Sequence, residues 1–247
     1  MYTDILRAPY SPRISSTQLA IVIPVYNESA NIAALLREWR AVLDPLDINY
    51  RLLALNDGSK DDTGMILDQA ASSFDQLEVV HKTHSGHGRT SRFGYDLALA
   101  DDYEWVLQID SDGQCDPAYF SAMWTSHESA DCVFGLRVTR DDGWRRALIS
   151  RLLRLATFVV TGRDLRDVNV PYRLMRRDVL ARALLRVPAD FDIQNVALTL
   201  ALKRDPSVRW NYHPIRFRDR QGGTNSINVP QIFKMGWNML RSLRRVS

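Results

Sequence analysis

Four short runs of β-branched and other apolar residues, Leu19 to Val25, Tyr50 to Leu55, Leu77 to His81 and Trp105 to Ile109, alternate with amphipathic stretches over Ser29 to Val42, Asp61 to Ser73 and Arg89 to Ala100. The runs have the length of strands and the stretches that of helices. Strands joined through single helices of this size need right-handed crossovers, so they lie parallel in a sheet covered on both faces. The pattern predicts an α/β fold: a mostly parallel, Rossmann-like sheet with helices on both faces. Composition fits, since 247 residues at 45% apolar and 25% charged can bury one sizeable core and do not describe a disordered, collagenous or disulfide-stapled chain.

The second half is less regular. Asp131 to Arg137 reads as a further strand, Trp144 to Thr161 as an arginine-studded helix, Arg177 to Leu185 and Ile193 to Leu202 as helices, and Val208 to Phe217 as an extended pair broken by Pro214. Gly222 and Gly223 link to a final helix from about Pro230, which gives the fold a basic, helical C-terminal part. Residues 1–136 carry 9 Lys and Arg against 20 Asp and Glu, a balance of −11, whereas residues 137–247 carry 23 against 9, or +14. An acidic half suits the holding of a cation and a basic half suits an anionic partner. Cys115 and Cys132 are the only cysteines and lack Cys-x-x-Cys spacing, so neither a structural zinc module nor a disulfide framework is expected, and a reducing cytoplasm suits the chain. The first residues lack the basic and then apolar regions of a signal peptide, and the longest apolar candidate, Leu148 to Val160, is interrupted by Arg151 and Arg154.

Polar residues fall where the first four strands end: Tyr26, Asn27 and Glu28; Asp57, Gly58 and Ser59; His84 to Gly88; Asp110 to Gln114. Parallel sheets bind ligands at the carboxyl ends of their strands, so one crevice is expected to gather all four groups. Each alone reads equally well as an ordinary capping turn. The sharpest is Asp110-Ser111-Asp112-Gly113-Gln114. Residues two apart on an extended chain share a side, which places two carboxylates together with the Gln114 amide oxygen one step further. A hard divalent ion, Mg²⁺ or Mn²⁺, relieves their repulsion and keeps positions open for a diphosphate. Gly86, Gly88 and Arg92 are candidates for the donor site. His81, His84 and His87 lack a fourth ligand for zinc, and Cys115 reads as a small packed residue.

Ile23-Pro24-Val25-Tyr26-Asn27-Glu28, Asn56-Asp57-Gly58-Ser59-Lys60-Asp61-Asp62-Thr63 and the Asp-x-Asp at Asp110 and Asp112, in this order and spacing, resemble family 2 glycosyltransferases. The resemblance is strong over roughly residues 19–117 and implies a GT-A fold that binds a nucleoside diphosphate sugar, with uridine or guanosine as the nucleoside. Further on, Gly135-Leu136-Arg137, Trp144-Arg145-Arg146 to Ser150-Arg151, Arg166 to Leu174 and Arg220-Gln221-Gly222-Gly223-Thr224-Asn225 resemble the polyprenyl-phosphate sugar synthase branch, with Asn225 where a lysine is expected. The usual acid of the acceptor helix is replaced within Asp192-Ile193-Gln194-Asn195. The resemblance implies that Pro24, Tyr26, Glu28 and Asp57 hold the nucleoside, that Asp110, Asp112 and Gln114 hold the metal, and that Arg137, Arg151 and Arg220 surround donor and acceptor phosphates. Arginine forks suit that task, because they match phosphate oxygens bidentately at any working pH.

These readings combine into one GT-A domain over residues 1–247, with a nucleotide-sugar and metal half at 1–136 and an acceptor half at 137–247. The expected acceptor is a polyprenyl phosphate, which arrives as a nucleophilic dianion and needs cations rather than a general base. A soluble or glycan hydroxyl acceptor is the alternative. Apolar surface beside Arg145, Arg146, Arg151, Arg154, Lys234, Arg241, Arg244 and Arg245 suits peripheral contact with the inner membrane surface. Nucleic acid is not expected, since no stacking pattern or reader motif accompanies the basic half.

Overall fold

The computed structural model describes residues 18–138, 170–188 and 194–218. Its centre is a seven-stranded mixed sheet in the order β3-β2-β1-β4-β6-β5-β7. The strands are β1 (Gln18–Val25), β2 (Asn49–Asn56), β3 (Leu77–His81), β4 (Trp105–Gln108), β5 (Cys132–Arg137), β6 (Arg173–Arg176) and β7 (Trp210–Ile215). The helices are α1 (Ile32–Leu43), α2 (Thr63–Ala71), α3 (His87–Ala100), α4 (Phe120–Thr125), α5 (Arg177–Leu184) and α6 (Gln194–Arg204). The first seven expected elements stand within a few residues of their expected limits, and β1 to β4 are mutually parallel.

Leu19 to Ile23 are wholly buried, as a central strand flanked by two neighbours and covered on both faces must be. Helices α1 and α2 pack together, and Trp39 of α1 meets Phe120 and Tyr172 edge-on at 5.9 and 5.8 Å. Helix α3 lies against β1 and β2 and packs on α6, which in turn packs on α5. Close approach of α3 to the sheet depends on Gly94, where a β-carbon would stand 2.4 Å from Val22 Cγ1 and 2.5 Å from Leu55 Cδ1.

Pro24 sits inside β1 without breaking it. The Val22 carbonyl accepts from Ile109 N at 3.2 Å, so Pro24, two residues on, also faces β4, beyond the last paired residue, where its missing N–H removes no ladder bond.

Two expectations change in the second half. Residues 208–217 do not form a pair of strands broken at Pro214: a single strand, β7, runs through Pro214 parallel to β5. Pro214 is tolerated because β7 is the sheet's outer strand, and the Ile215 carbonyl, bonded by Val138 N at 3.1 Å, puts its neighbour's nitrogen on the open side. The second change is β6, a strand of four residues that pairs antiparallel with both β4 and β5 and carries β5 and β7 into the same sheet. Such a short run gives little period-2 signal. Asp131, 4% exposed, closes the far end of β5 by accepting from Arg209 N, Arg209 Nη2 and Arg176 Nη1, each at 2.9 Å. The expected helices Trp144 to Thr161 and from Pro230 lie outside the described residues, and among the described residues no helix is long and apolar enough to cross a membrane.

Gly94→Ala should be destabilising by about 2 kcal/mol through overpacking against Val22 and Leu55, read as a lower urea midpoint at unchanged slope.

Candidate functional site

In-register pairing sets the site. Val25 stands opposite Asn56, and Asn56 opposite His81, so β1, β2 and β3 end level, while β4 ends beside Val22. The chain leaves each strand on the same edge, held by Asp57 N to the Val25 carbonyl at 2.8 Å and Lys82 N to the Asn56 carbonyl at 3.0 Å. The four polar groups thus meet at one cleft of about 230 Å³, lined by Pro24, Val25, Tyr26, Glu28, Asp57, His84, His87, Thr90, Asp110, Ser111 and Asp112.

The first two loops are tied to each other. Asn27 takes a positive φ of 53°, accepts from Lys60 N at 2.8 Å through its side chain, and donates its own N–H to Ser59 Oγ at 3.0 Å. Glu28 N donates to Thr63 Oγ1 at 2.8 Å, and Ser29 N to Asp61 Oδ2 at 3.2 Å. Within the resemblance motif, Ser59, Asp61 and Thr63 therefore act as a clamp. Glu28 is buried and accepts from Asn31 Nδ2 at 2.8 Å, while Tyr26 is exposed at the mouth with its ring 4.4 Å from that of His84.

Asp57 ties in the third loop. One carboxylate oxygen accepts from Ser85 N at 2.9 Å and from Lys82 Nζ, the other from Gly86 N at 2.8 Å; His84 Nδ1 lies 2.9 Å from that second oxygen and hydrogen-bonds the Asp57 backbone carbonyl at 3.0 Å. Gly58 makes this closeness possible, with φ 70° and no room for a β-carbon, which would lie 2.9 Å from His84 N. Burial alone would raise the Asp57 carboxyl, but hydrogen bonds from Lys82, Thr90, Ser85 and Gly86 outweigh it and hold the group below the usual carboxylate range. Gly86, with φ 94°, stands at the N-terminus of α3, and Gly88 is buried in its first turn, which brings His87 and Thr90 to the cleft.

In the fourth loop, Asp110 Oδ1 lies 2.9 Å from His87 Nε2. Burial pushes the Asp110 carboxyl up, and the charges of His87, Arg173 and Arg137 more than reverse this. Arg137 ends β5 with its guanidinium 4.2 Å over the Phe217 ring. Burial holds the Cys115 thiol well above its ordinary value, in keeping with a packed rather than reactive residue. The three histidines have separate partners: His81 has Asn56 and Asp68, His84 has Asp57, and His87 has Asp110.

Of the expected site residues that are described, Gly86, Gly88, Arg92, Gln114 and Arg137 are not among those that line the cleft. Arg92 does not line the cleft; it pairs with Asp96 at 3.0 Å and donates to the Val187 carbonyl at 2.8 Å, tying α3 to the segment after α5. Gln114 is also off the cleft, its amide nitrogen 3.3 Å from the Arg218 carbonyl. That loop is latched by Arg218, which reaches Asp116 at 2.7 Å and also Glu38. Gln194 and Asn195 are buried, and Asp192, Arg151 and Arg220 lie outside the described residues. Sequence reasoning missed Lys82, Arg173 and Arg218. Lys82 directly follows β3 and Arg173 stood within a motif already singled out, but neither sits in a spacing that marks a site.

The donor set fits a magnesium-like ion. Among the described residues no three His, Cys, Asp or Glu side chains form a ready metal cage, but Asp110 and Asp112 line one cleft. One or two carboxylates, with water and substrate phosphates completing the shell, is how Mg²⁺ and the similarly hard Mn²⁺ are held, and is too few ligands for a structural zinc or calcium site.

A mixed, mostly parallel sheet with a carboxylate-lined cleft at its strand ends defines an α/β protein of the GT-A class. The chain belongs to glycosyl transferase family 2, whose model matches residues 20–184. It is 28% identical over 170 residues to polyprenol monophosphomannose synthase of Mycolicibacterium smegmatis, covering 66% of this chain and 63% of that protein. It is 31% identical over 165 residues to undecaprenyl-phosphate 4-deoxy-4-formamido-L-arabinose transferase of Aeromonas hydrophila, covering 66% of this chain and 50% of the relative. The matched region thus spans half to just under two thirds of these relatives. In fold it is similar to glucosyl-3-phosphoglycerate synthase of Mycobacterium tuberculosis, solved with Mn²⁺, uridine-diphosphate-glucose and phosphoglyceric acid, at 18% identity and a TM-score of 0.62, covering 93% of this chain and 80% of that one.

The depressed Asp57 carboxyl predicts a pH dependence. A folded-state value below the unfolded one adds stability that is fully present above about pH 4 and is lost as the pH falls through the folded-state value. Asp57→Asn should flatten the stability profile below about pH 4 and lower stability at neutral pH by about 3 kcal/mol, since Lys82 loses its anion. Urea denaturation at stepped pH reads both effects.

Proposed function

We propose that the protein transfers a sugar, with inversion and divalent-metal dependence, from a uridine or guanosine diphosphate sugar to a polyprenyl-phosphate-type acceptor. The observation that carries this reading is the convergence of Tyr26, Glu28, Asp57, Asp110 and Asp112 on one cleft at the strand ends. The names of the relatives, which refer to polyprenol and undecaprenyl phosphate, support the acceptor class. The excess of 23 basic over 9 acidic residues in the second half supports it independently.

In this reading Pro24, Tyr26 and Glu28 contact the nucleoside. Asp57 acts on it through the loop it organises, because both its oxygens already accept from residues 82–86. Asp110 and Asp112 hold Mg²⁺ or Mn²⁺, which when bound neutralises the departing diphosphate. The backbone N–H groups at the start of α3 add positive potential beside that charge. An acceptor phosphate oxygen attacks the anomeric carbon from the face opposite the diphosphate. The new carbon–oxygen bond forms as the bond to the diphosphate oxygen breaks, the electron pair leaves with that oxygen, and no proton need move. A phosphate dianion at neutral pH is already deprotonated, so no general base is required. Arg137, with Arg151 and Arg220, surrounds the phosphates. Residues 1–136 serve as the donor half and 137–247 as the acceptor half of one domain, and the basic apolar segments near Trp144 and Pro230 rest on the membrane surface.

The test is transfer from a panel of uridine and guanosine diphosphate sugars to a short polyprenyl phosphate with Mn²⁺ present. Lipid-linked sugar should form, and Asp112→Ala should reduce it about a hundredfold or more. Transfer to a free hydroxyl acceptor with none to lipid phosphate would overturn the acceptor assignment.

A further inference from the structure

Phe217 follows the last residue of β7 by two positions, and the guanidinium of Arg137 lies over its ring, with the central carbon 4.2 Å from the ring centre. That is well inside the roughly 6 Å over which an aromatic face holds a cation. The register of the outer strands brings the two together. Arg137 stands opposite Ile215, and Val138 N donates to the Ile215 carbonyl at 3.1 Å, so the end of β5 and the chain leaving β7 run side by side. Phe217 is pinned on both flanks. On one side Arg216 N donates to Tyr119 Oη at 3.3 Å. On the other, Arg218 N donates to the Gln114 carbonyl and the Arg218 carbonyl accepts from Gln114 Nε2, each at 3.3 Å, while the Arg218 guanidinium reaches Asp116 at 2.7 Å and also Glu38. The ring, packed in part against the core, is therefore carried by a short segment fastened to the loop that follows β4.

Strands β4 and β5 both run antiparallel to β6, and Gln108 of the one and Phe134 of the other both stand opposite Arg173. Asp110 and Arg137 lie just beyond these two residues, so they leave the sheet on the same edge, with β6 between them and a lateral separation of about 10 Å at the usual strand spacing. An aromatic ring supports one flat face of a guanidinium and leaves its in-plane N–H groups, which fork onto phosphate oxygens, directed past the ring. A carboxylate in the same place would take up those donors.

We propose that Phe217 is a positioning residue: its ring holds the guanidinium of Arg137 beside the Asp110–Asp112 loop in the orientation that receives a phosphate, and the paired bonds between Gln114 and Arg218 keep ring and loop in step. This rests on the reading of Arg137 as a phosphate-contacting residue. Phe217 touches no substrate and acts through Arg137 alone. The phosphate belongs either to the nucleoside diphosphate or to the acceptor, and two separate readouts tell which.

The decisive measurement is a double-mutant cycle over the wild type, Phe217→Leu, Arg137→Met and the double variant, with Phe217→Tyr beside them. One readout is the affinity for uridine and guanosine diphosphate by calorimetry with Mn²⁺ present; the other is KM, set against kcat, for a short polyprenyl phosphate in the transfer reaction. Phe217→Leu keeps an apolar side chain but removes the ring face, and should weaken at least one of the two by about three- to tenfold, with kcat moving less than KM. Phe217→Tyr keeps the face and should stay within about twofold of the wild type. In the Arg137→Met background the same Phe217→Leu change should cost less than about twofold, because nothing is left for the ring to hold. Equal losses in both backgrounds, as a ring that only packs would give, would overturn the proposal, and so would a folded Phe217→Leu that moves neither readout. Should Phe217→Leu not fold, a loss of about threefold or more in Phe217→Tyr would overturn it instead. Arg137→Met equal to the wild type in both readouts would overturn the phosphate role of Arg137 itself, and the platform with it. A wild type that makes no lipid-linked sugar would overturn the acceptor assignment, and the diphosphate affinities then decide the platform by the same pattern.

Discussion

Everything at the cleft hangs on the backbone ladder of β1. Its residues are hydrogen-bonded to β2 along their whole length and to β4 as far as Val22, and its interior positions are excluded from water. A strand so placed cannot slip by one residue without turning every apolar side chain to the wrong layer. That rigidity fixes where three neighbouring strands stop, and so where four loops begin. The loops themselves carry little apolar surface, and polar bonds hold them: Asp57 to residues 82–86, Asp61 and Thr63 to residues 28–29, Arg218 to Asp116. The sheet supplies position, and a short chain of charged and hydroxyl groups supplies shape.

The acidic and basic halves are therefore not two solvated faces that happen to differ. Glu38 and Asp116 of the first meet Arg218 of the second, and Asp131 of the first takes Arg209 of the second. At these points opposite charges of the two halves pair, while Asp57, Asp110 and Asp112 line the cleft. Asp110 illustrates the balance, since burial that would protonate it is outweighed by three cations drawn from α3, β5 and β6.

The first half was legible because each of its signals is local. A five- to eight-residue apolar run and a following helix are read from neighbouring positions, and β1 to β4 with α1 to α3 emerged nearly within their expected bounds. What escaped depends on distant partners. Strand β6 has only four residues and is strand because β4 and β5 flank it. Arg92 faces Val187, 95 positions away, and Gln114 faces Arg218, so spacing alone could not show that either turns from the cleft. Lys82 looked like any lysine after a strand, and only the folded loop gives it Asp57, Ser85 and Thr90 as acceptors. Within one motif the residues divide the work: Ser59, Asp61 and Thr63 brace the turn while Asp57 faces the cleft.

The antiparallel insertion of β6 has a consequence for assembly. Strand β5 leaves the ribosome some forty residues before β6, yet β6 is what joins it to β4. Until residues 173–176 arrive, the sheet can close only as far as β3-β2-β1-β4, and β5 has no edge to join. The contacts that unite the molecule bridge 39 to 71 positions of the chain and form only after the stretch between β5 and β6 has been closed. The four-residue seam that completes the sheet also carries the wholly buried Arg173. A chain that has not yet joined its two parts thus has nothing to enclose that charge, which leaves water only when the sheet is complete.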